Sequence, residues 1–255
     1  MTAPADKIPM LRLDRLLANL GYGTRTQMQA MAHAGRIKLD GAALRDPALR
    51  VAATPEFCAR LSINGEALDP PPGMVIALNK PRGVTCSRKE AGPLVFDLLP
   101  PRFRLREPAL STVGRLDKDT SGLLLITDDG ALLHRLISPK HNIAKRYCAK
   151  LARPLRGDEA EIFASGEMML DDEAKPLLPA VLRVLSPTEA EVSVTEGRYH
   201  QIRRMFAATG NHVLELHRMS IGDFALPLTL APGDFLLLRA SEAEAAVRGE
   251  ALRAG

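Results

Sequence analysis

A run of three prolines and a glycine, Pro70-Pro71-Pro72-Gly73, divides this chain of 255 residues. Pro-rich segments of this kind form semi-rigid linkers between domains. We therefore expect a loose extension over residues 1–9, a small domain over 10–60, a linker over 61–73, a larger domain over 74–240 and a C-terminal tail over 241–255.

The composition is that of an ordinary globular protein, with 46% hydrophobic and 25% charged residues. Aromatic residues make up only 4% and tryptophan is absent, so aliphatic side chains must build the core. A sheet of stacking aromatics for single-stranded nucleic acid is therefore not expected. The three cysteines are scattered without a CxxC pair, which argues against a zinc site or a disulfide framework and fits a reducing cytoplasm. We also expect no secretory signal and no membrane span.

The charged residues are unevenly distributed along the chain. Seven Lys or Arg and no acid lie between His134 and Arg156, whereas seven acids and one Lys lie between Gly157 and Lys175. This segregation indicates a surface that faces a polyanion. The alternative is two solvated faces of unequal sign.

The small domain reads as two helices followed by a hairpin. Leucines from Leu11 to Leu20 form a near-helical stripe that stops at Gly21. Thr24 can cap a second helix over residues 25–34, and Gly35 ends it. A short strand over residues 36–39 then leads into a hairpin-type turn at Asp40-Gly41.

The larger domain mixes short strands with short helices and lacks strict βαβ alternation, which indicates an α+β fold. Its first segment, Met74–Leu78, is expected to be a buried strand that leads into a basic turn over Asn79–Gly83. The other expected strands are Leu123–Ile126, Ala180–Leu185 and Glu191–Thr195, and the expected helices are Ala131–Ile137 and Gln201–Thr209.

A polar loop, Gly114-Arg115-Leu116-Asp117-Lys118-Asp119-Thr120-Ser121-Gly122, precedes the apolar strand at Leu123. A carboxylate at such a strand entrance can sit at a cleft, and the charge of Arg115 favours the ionised form of Asp117. Two other interpretations stay open from spacing alone. They are a calcium or magnesium loop, although the ligand spacing of an EF-hand is missing, and plain turn chemistry.

The helix expected at Gln201 has one apolar face, formed by Ile202, Met205, Phe206 and Thr209. Arg203 lies at the edge of that face, whereas Arg204 points away from it, as a surface or phosphate-binding residue. Gly210 is placed to end the helix. Three histidines, His200, His212 and His217, match no common zinc spacing, so we expect RNA contacts or structural hydrogen bonds from them.

The small domain resembles the S4-type RNA-binding domain. The resemblance rests on Arg12-Leu13-Asp14, on the cap Thr24-Arg25, and on the segment from Gly35 to Gly41. Thr24 stands where that family usually has Ser. The resemblance implies RNA contacts along the second helix and the following strand, by Arg25, Arg36 and Lys38.

The polar loop with the Leu-Leu-Leu and Thr-Asp-Asp-Gly that follow it resembles the signature of the RsuA/RluA superfamily of pseudouridine synthases. The resemblance implies a catalytic domain with a mixed, largely antiparallel sheet flanked by helices. It also implies that Asp117 is the essential catalyst. Residues Lys145-Arg146-Tyr147 resemble the motif whose Tyr packs on the flipped base, and the segment Glu196–Phe206 resembles a third motif, whose basic residue, here Arg203, pairs with the catalytic Asp.

The resemblance thus gives three candidate catalytic residues, Asp117, Tyr147 and Arg203. Candidate RNA-binding residues, apart from those of the small domain, are Lys80, Arg115, Lys145, Arg146, Arg198, His200, Gln201 and Arg204. The implied reaction needs no cofactor and no metal ion, and the sequence shows no phosphate loop or dinucleotide fingerprint.

Within the superfamily the chain looks closest to the RsuA type, which modifies 16S ribosomal RNA. The implied partner is that RNA or a small-subunit assembly intermediate, bound by a cytoplasmic monomer without a membrane. Three alternatives stay open at this point: an enzyme acting on 23S RNA, a non-catalytic ribosome-assembly factor of the same fold, and a metal-dependent nuclease.

Overall fold

The computed structural model describes residues 10–88, 90–138 and 141–249. The expected extension over residues 1–9 and the end of the expected tail, 250–255, lie outside the described residues.

The chain divides into two compact units. Among the described residues, the first unit contains 10–74, Leu99–Ser111 and Thr127–Asp129, and the second contains those of Val75–Leu98, Thr112–Ile126 and 130–249. The first break thus follows the Pro-rich segment, but two later pieces of chain also belong to the first unit. A single linker between two domains does not predict that later segments of the chain return to the first unit.

The first unit contains two short helices followed by small sheets. Its elements are β1 (Met10–Arg12), α1 (Leu13–Asn19), α2 (Arg25–His33), β2 (Ile37–Leu39), β3 (Ala42–Ala43), β4 (Arg50–Ala52), α3 (Pro55–Ala59), β5 (Leu61–Ile63), β6 (Glu66–Ala67) and a 3-10 helix, Pro101–Leu105. Strands β3, β2, β5 and β6 form one sheet in that order, and β1 pairs with β4.

Two local predictions in this unit are confirmed. The Thr24 side chain accepts from the Gln27 amide and the Gln27 side chain accepts from the Thr24 amide, which is a complete capping box. Asp40 and Gly41 both have positive φ, 49° and 83°, and connect β2 to β3 as a two-residue turn.

The predicted linker over residues 61–73 is wrong in its first half. Strand β5 pairs with β2, with Ile63 opposite Ile37 and Leu61 opposite Leu39. Leu61 and Ile63 are buried in the core of the first unit, so they complete the small domain. Three-residue strands give too short an alternation to be recognised before their partners are known.

The second unit is built around one large sheet. Its elements are β7 (Met74–Lys80), a 3-10 helix (Val95–Leu98), β8 (Ser111–Thr112), β9 (Thr120–Thr127), α4 (Gly130–Ile137), β10 (Lys145–Leu151), α5 (Glu159–Ala164), β11 (Val181–Ser186), β12 (Glu189–Val194), α6 (Gln201–Ala208), β13 (Val213–Ile221), β14 (Phe224–Ala225), β15 (Phe235–Arg239) and α7 (Ala240–Arg248).

The sheet runs in the order β11-β12-β10-β13-β9-β7-β15, with β14 beside β13 and β8 beside β9. Strand β13 is parallel to β9, whereas β10 is antiparallel to both of its neighbours. The predicted α+β fold with a mixed, largely antiparallel sheet is therefore confirmed. None of the described helices is long and apolar enough to cross a membrane.

The predicted basic turn after the first strand begins later than expected. Asn79 and Lys80 are the last residues of β7, all seven of whose residues are buried. The Asn79 side chain donates to the carbonyl of Leu230 at 2.8 Å, and three of the four carbonyl oxygens that bind Lys80 lie in a loop more than 30 residues away. These long-range partners allow two polar residues to continue a buried strand.

Gly122 permits close approach of the two parallel strands. It has φ of +104° and lies opposite Arg218 in the register of β9 and β13. A Cβ atom at this position would lie 2.3 Å from the Arg218 carbonyl oxygen, a distance that no packing adjustment of side chains can relieve. Only glycine therefore fits here.

We predict that Gly122→Ala lowers the free energy of unfolding by about 1–3 kcal/mol more than Gly157→Ala, the range for overpacking a core. Gly157 is a matched control because its φ is +108° and no atom would lie within 4 Å of an added Cβ. Both variants carry the backbone strain, and only the first drives a methyl group into backbone. Denaturant unfolding measures the difference, and equal losses would contradict the account.

Candidate active site

The second unit contains a cavity of about 430 Å³. Its lining includes Asp117 from the polar loop, Tyr147 from β10, His200 before α6 and Arg218 from β13. Residues far apart in sequence meet here because β10 and β13 are neighbouring strands of the sheet. The cavity therefore brings a carboxylate, a phenol, an imidazole and a guanidinium together beside an apolar wall that includes Ile202. Its lining also contains Arg115, Lys145, Glu196, Arg198 and Tyr199.

Lys80 fixes the polar loop from inside the protein. Its side chain is fully buried, and Nζ lies 3.1 Å from the Asp117 carbonyl oxygen, 2.8 Å from that of Thr120 and 3.4 Å from that of Lys118. It also lies 3.0 Å from the Pro81 carbonyl oxygen. Burial lowers the pKa of Lys80. This position contradicts the expected role of Lys80 in RNA binding, because a phosphate cannot reach the ammonium group.

Asp117 is held by its backbone and left open at its carboxylate. Its carbonyl oxygen accepts from the Thr120 amide at 3.0 Å as well as from Lys80. About a third of its side chain, 36%, is exposed, and its Oδ1 lies 3.5 Å from Nε2 of His200. The acid is therefore positioned by main-chain contacts while its oxygens stay accessible from the cavity.

His200 has a left-handed backbone conformation, with φ of 50° and ψ of 30°, immediately before α6. Such a conformation is uncommon for a residue other than glycine and collects at functional sites. The imidazole stacks on Tyr199, with ring centroids 3.9 Å apart and planes at 16°. The strained turn thus places the ring beside Asp117 rather than back on the helix.

Tyr147 and Arg218 lie opposite each other on β10 and β13. The Arg218 guanidinium donates from Nη1 to the Tyr147 hydroxyl at 3.4 Å and from Nε to the Leu123 carbonyl at 2.7 Å. Only 3% of Arg218 is exposed. Arg218 was missing from the candidates predicted from sequence. The sequence did contain a signal for it. Arg218 lies two residues after Leu216 and two before Ser220, so the three side chains share the buried face of a strand.

The ion pair expected between Arg203 and Asp117 is not formed in the described part of the chain. Arg203 instead donates to the carbonyl oxygen of Val213 at 2.8 Å and to that of Asp119 at 3.2 Å. The sequence placed Arg203 correctly at the edge of the buried face of α6, whose residues Ile202, Met205, Phe206 and Thr209 are all buried. The Arg203 guanidinium reaches only the backbone of the polar loop. Arg203 therefore supports the loop from α6, whereas Lys80 supports it from β7.

Three further residues expected to bind RNA are occupied within the protein. Gln201 is buried, and its amide contacts Glu196. Arg198 binds the carboxylates of Glu196 and Glu173, and Arg204 binds Glu173 and the carbonyl of Asp171. These contacts order the turn before α6, and the expected RNA contacts of Gln201, Arg198 and Arg204 stay predictions. Of the two carboxylates, Glu173 comes from the acidic stretch noted in the sequence.

The remaining basic candidates keep some exposure. Arg115 is exposed at the cavity, and Lys145 lines it half-buried, with a contact of 3.3 Å to the Thr195 carbonyl. Burial, reinforced by the charge of Arg218, lowers the pKa of Lys145. Arg146 donates to the Ser220 hydroxyl at 2.8 Å.

In the first unit, Arg36 and Lys38 are exposed and Arg25 keeps 53% of its side-chain exposure. Arg36 donates to Asn64, and Arg25 lies 3.4 Å from the buried Asp14. The three cations therefore remain available to solvent on the helix and strand where the sequence placed them.

No cluster of three metal-ligating side chains (His, Cys, Asp or Glu) is present among residues 10–88, 90–138 and 141–249. Of the three histidines noted in the sequence, His217 makes a structural hydrogen bond, with Nδ1 2.9 Å from the Ser121 hydroxyl. Burial lowers the pKa of His217.

A model of the RNA pseudouridylate synthase family matches residues 74–208, and a model of the S4 domain matches residues 11–54. The chain belongs to the RNA pseudouridylate synthase family. It is 39% identical to "Ribosomal small subunit pseudouridine synthase A" of Escherichia coli K12, over 91% of this chain and 98% of that protein. The protein of the same name from Vibrio cholerae is 38% identical, over 91% and 97% of the two chains.

A crystal structure of a pseudouridylate synthase has the same fold. It aligns with a TM-score of 0.63 and 35% identity, over 92% of this chain and 98% of its own. The small domain and the catalytic domain therefore occur together in relatives of this family.

We predict that Lys80→Met lowers the free energy of unfolding by at least about 2 kcal/mol, since several buried carbonyl oxygens lose their donor at about 1–3 kcal/mol each. Lys118→Met is the control, because the Lys118 side chain is exposed in the same loop. Chemical denaturation checks both variants. Equal stability of Lys80→Met and the wild-type protein would contradict the role given to the ammonium group.

Proposed function

We propose that this protein isomerises a specific uridine of small-subunit (16S) ribosomal RNA to pseudouridine, with Asp117 as the catalytic carboxylate. The observation that carries the proposal is the accessible Asp117 carboxylate, fixed at a mostly apolar cavity by a loop whose backbone Lys80 holds. The names of its relatives support a small-subunit target.

The reaction breaks the bond from uracil N1 to ribose C1′ and forms a new bond from C5 to the same carbon. Asp117 acts at the ribose as nucleophile or base, and in either case the electron pair of the broken bond leaves with the uracil. The turned base then gives an electron pair from C5 to C1′. This breaks the Asp117–C1′ bond if Asp117 acted as nucleophile, and if Asp117 acted as base at C2′ it returns that proton. C5 then loses its proton to solvent with the help of Tyr147, and N1 takes one proton from solvent. Atoms and electrons balance without a redox partner, a group donor or a metal ion.

The target base must leave its stack before Asp117 reaches the ribose, at a cost of a few kcal/mol. Contacts to phosphates supply that free energy, so binding weakens as salt rises. Arg115, Lys145, Arg146 and His200 supply such contacts around the cavity. In the first unit Arg25, Arg36 and Lys38 bind RNA as the S4 domain does.

The role proposed for Arg203 is indirect. Its contact to the Asp119 carbonyl holds the polar loop against α6, its contact to the Val213 carbonyl ties α6 to β13, and Asp117 lies in that loop. The substrate is 16S RNA, free or within a small-subunit assembly intermediate, and the enzyme acts as a cytoplasmic monomer.

We predict that Asp117→Asn reduces tritium release from RNA carrying tritium at uridine C5 by at least about a thousandfold, the scale of losing a catalytic acid or base. RNA binding should be retained, because an amide keeps the size of the side chain. Asp119→Asn is the matched control, since that side chain is exposed two residues away in the same loop.

The assay uses 16S and 23S transcripts and partly assembled subunits, in the presence of a chelator. Release from 16S RNA alone is the expected result. Release only from 23S RNA would keep the enzyme and change its target. No release from any of these substrates would contradict the proposal and leave a non-catalytic assembly factor, and activity lost with chelator would indicate a metal-dependent enzyme.

A further inference from the structure

Arg218 is a buried cation without a counter-ion. Only 3% of the residue is exposed, and no described carboxylate oxygen lies within ion-pair distance of its guanidinium. Arginine is almost never fully buried unless it is paired. The Asp117 carboxylate lines the same cavity outside ion-pair distance of the guanidinium, and Lys145 and Lys80 lie near enough for the charge of Arg218 to contribute to lowering their pKa values. A buried guanidinium without a counter-ion favours a ligand that is anionic or becomes so.

Two of the three guanidinium nitrogens of Arg218 make hydrogen bonds. Nε donates to the Leu123 carbonyl and Nη1 to the Tyr147 hydroxyl. Nη2 is buried and has no hydrogen-bond partner among the described residues. A buried donor without an acceptor costs free energy, so its retention calls for an explanation at this site.

The position of Arg218 supplies that explanation. The residue lines the same cavity as Asp117 and Tyr147, and its guanidinium carbon lies 5.9 Å from the centroid of the Tyr147 ring. A base stacked on Tyr147 would present its edge close to the guanidinium. Uracil offers two carbonyl oxygens, O2 and O4, that accept hydrogen bonds.

We propose that Arg218 binds the flipped uracil directly, with Nη2 donating to one of its carbonyl oxygens and Nη1 orienting the Tyr147 hydroxyl. This inference rests on the proposed function. When the N1–C1′ bond breaks, the uracil keeps the electron pair and its negative charge spreads over N1, O2 and O4. A preorganised buried cation stabilises that charge, in the manner of an oxyanion hole.

The test compares Arg218→Met, Arg218→Lys and the control Arg183→Met in single-turnover reactions on 16S RNA. Arg183 is exposed on β11 and binds Glu191, so its loss leaves the cavity intact. Arg218→Met should slow the reaction about a hundredfold, the scale of one oxyanion-hole donor. RNA affinity should stay near the wild-type value.

A second arm identifies the contact itself. Transcripts carry 2-thiouridine or 4-thiouridine in place of uridine, which weakens the acceptor at O2 or O4, and product nucleosides are separated by chromatography. One of the two substitutions should slow the wild-type enzyme about tenfold more than it slows Arg218→Met, as expected for groups in direct contact. A merely structural arginine gives no such coupling.

Equal thio effects in the wild-type enzyme and Arg218→Met, or an Arg218→Met rate equal to that of Arg183→Met, would overturn the inference while leaving the proposed function intact. If Arg218→Met does not fold, Arg218→Lys decides the matter. Lysine keeps the charge but cannot make the forked contacts, so it must bind RNA normally, react slowly and show the reduced thio effect. A wild-type enzyme that releases no tritium from any ribosomal RNA would overturn both proposals.

Discussion

The buried ammonium group of Lys80 holds together the part of the molecule on which the chemistry depends. It ends a fully buried strand and binds carbonyl oxygens along the loop from Asp117 to Thr120. A lysine in this position is costly because burial disfavours its charge, as the lowered pKa of Lys80 shows. In exchange, the contacts of Lys80 hold the loop by its backbone and leave the Asp117 carboxylate free. The acid is therefore positioned through main-chain contacts and not through its carboxylate oxygens.

Two other basic residues also bind backbone carbonyl groups. Arg203 binds the backbone of the loop at Asp119, while Arg218 binds the backbone of β9 at Leu123. Basic side chains therefore position carbonyl groups, and the carboxylates of Glu173 and Glu196 bind Arg198 and Arg204 around the turn before α6. At the cavity, Nη2 of Arg218 has no hydrogen-bond partner among the described residues, and the proposed role of this donor is to bind a base that gains negative charge during the reaction.

The sequence predicted those features that depend on neighbours in the chain. The cap at Thr24, the turn at Asp40-Gly41 and the buried face of α6 follow from local spacing, and each is confirmed. The family and the place of Asp117 at a strand entrance came from a long, specific motif.

The sequence failed where the deciding partner lies far along the chain. Lys80 reads as part of a basic turn because three of the four carbonyl groups that bind it are more than 30 residues away. Arg203 was expected to pair with Asp117, yet helix α6 places it against Val213 and Asp119. No local pattern in the acidic stretch before Lys175 predicts that Glu173 orders the turn before α6. Such long-range partners can be assigned only when the register of the sheet, and with it the spatial neighbours of each residue, is known.

The central claim is that the protein converts a uridine of small-subunit ribosomal RNA to pseudouridine. The most direct measurement maps pseudouridine in ribosomal RNA from cells that make the wild-type protein and from cells that make only Asp117→Asn, by carbodiimide modification and primer extension. The account predicts that one stop in the small-subunit RNA is lost in the Asp117→Asn cells, with the large-subunit pattern unchanged. Identical small-subunit patterns in the two strains would contradict it.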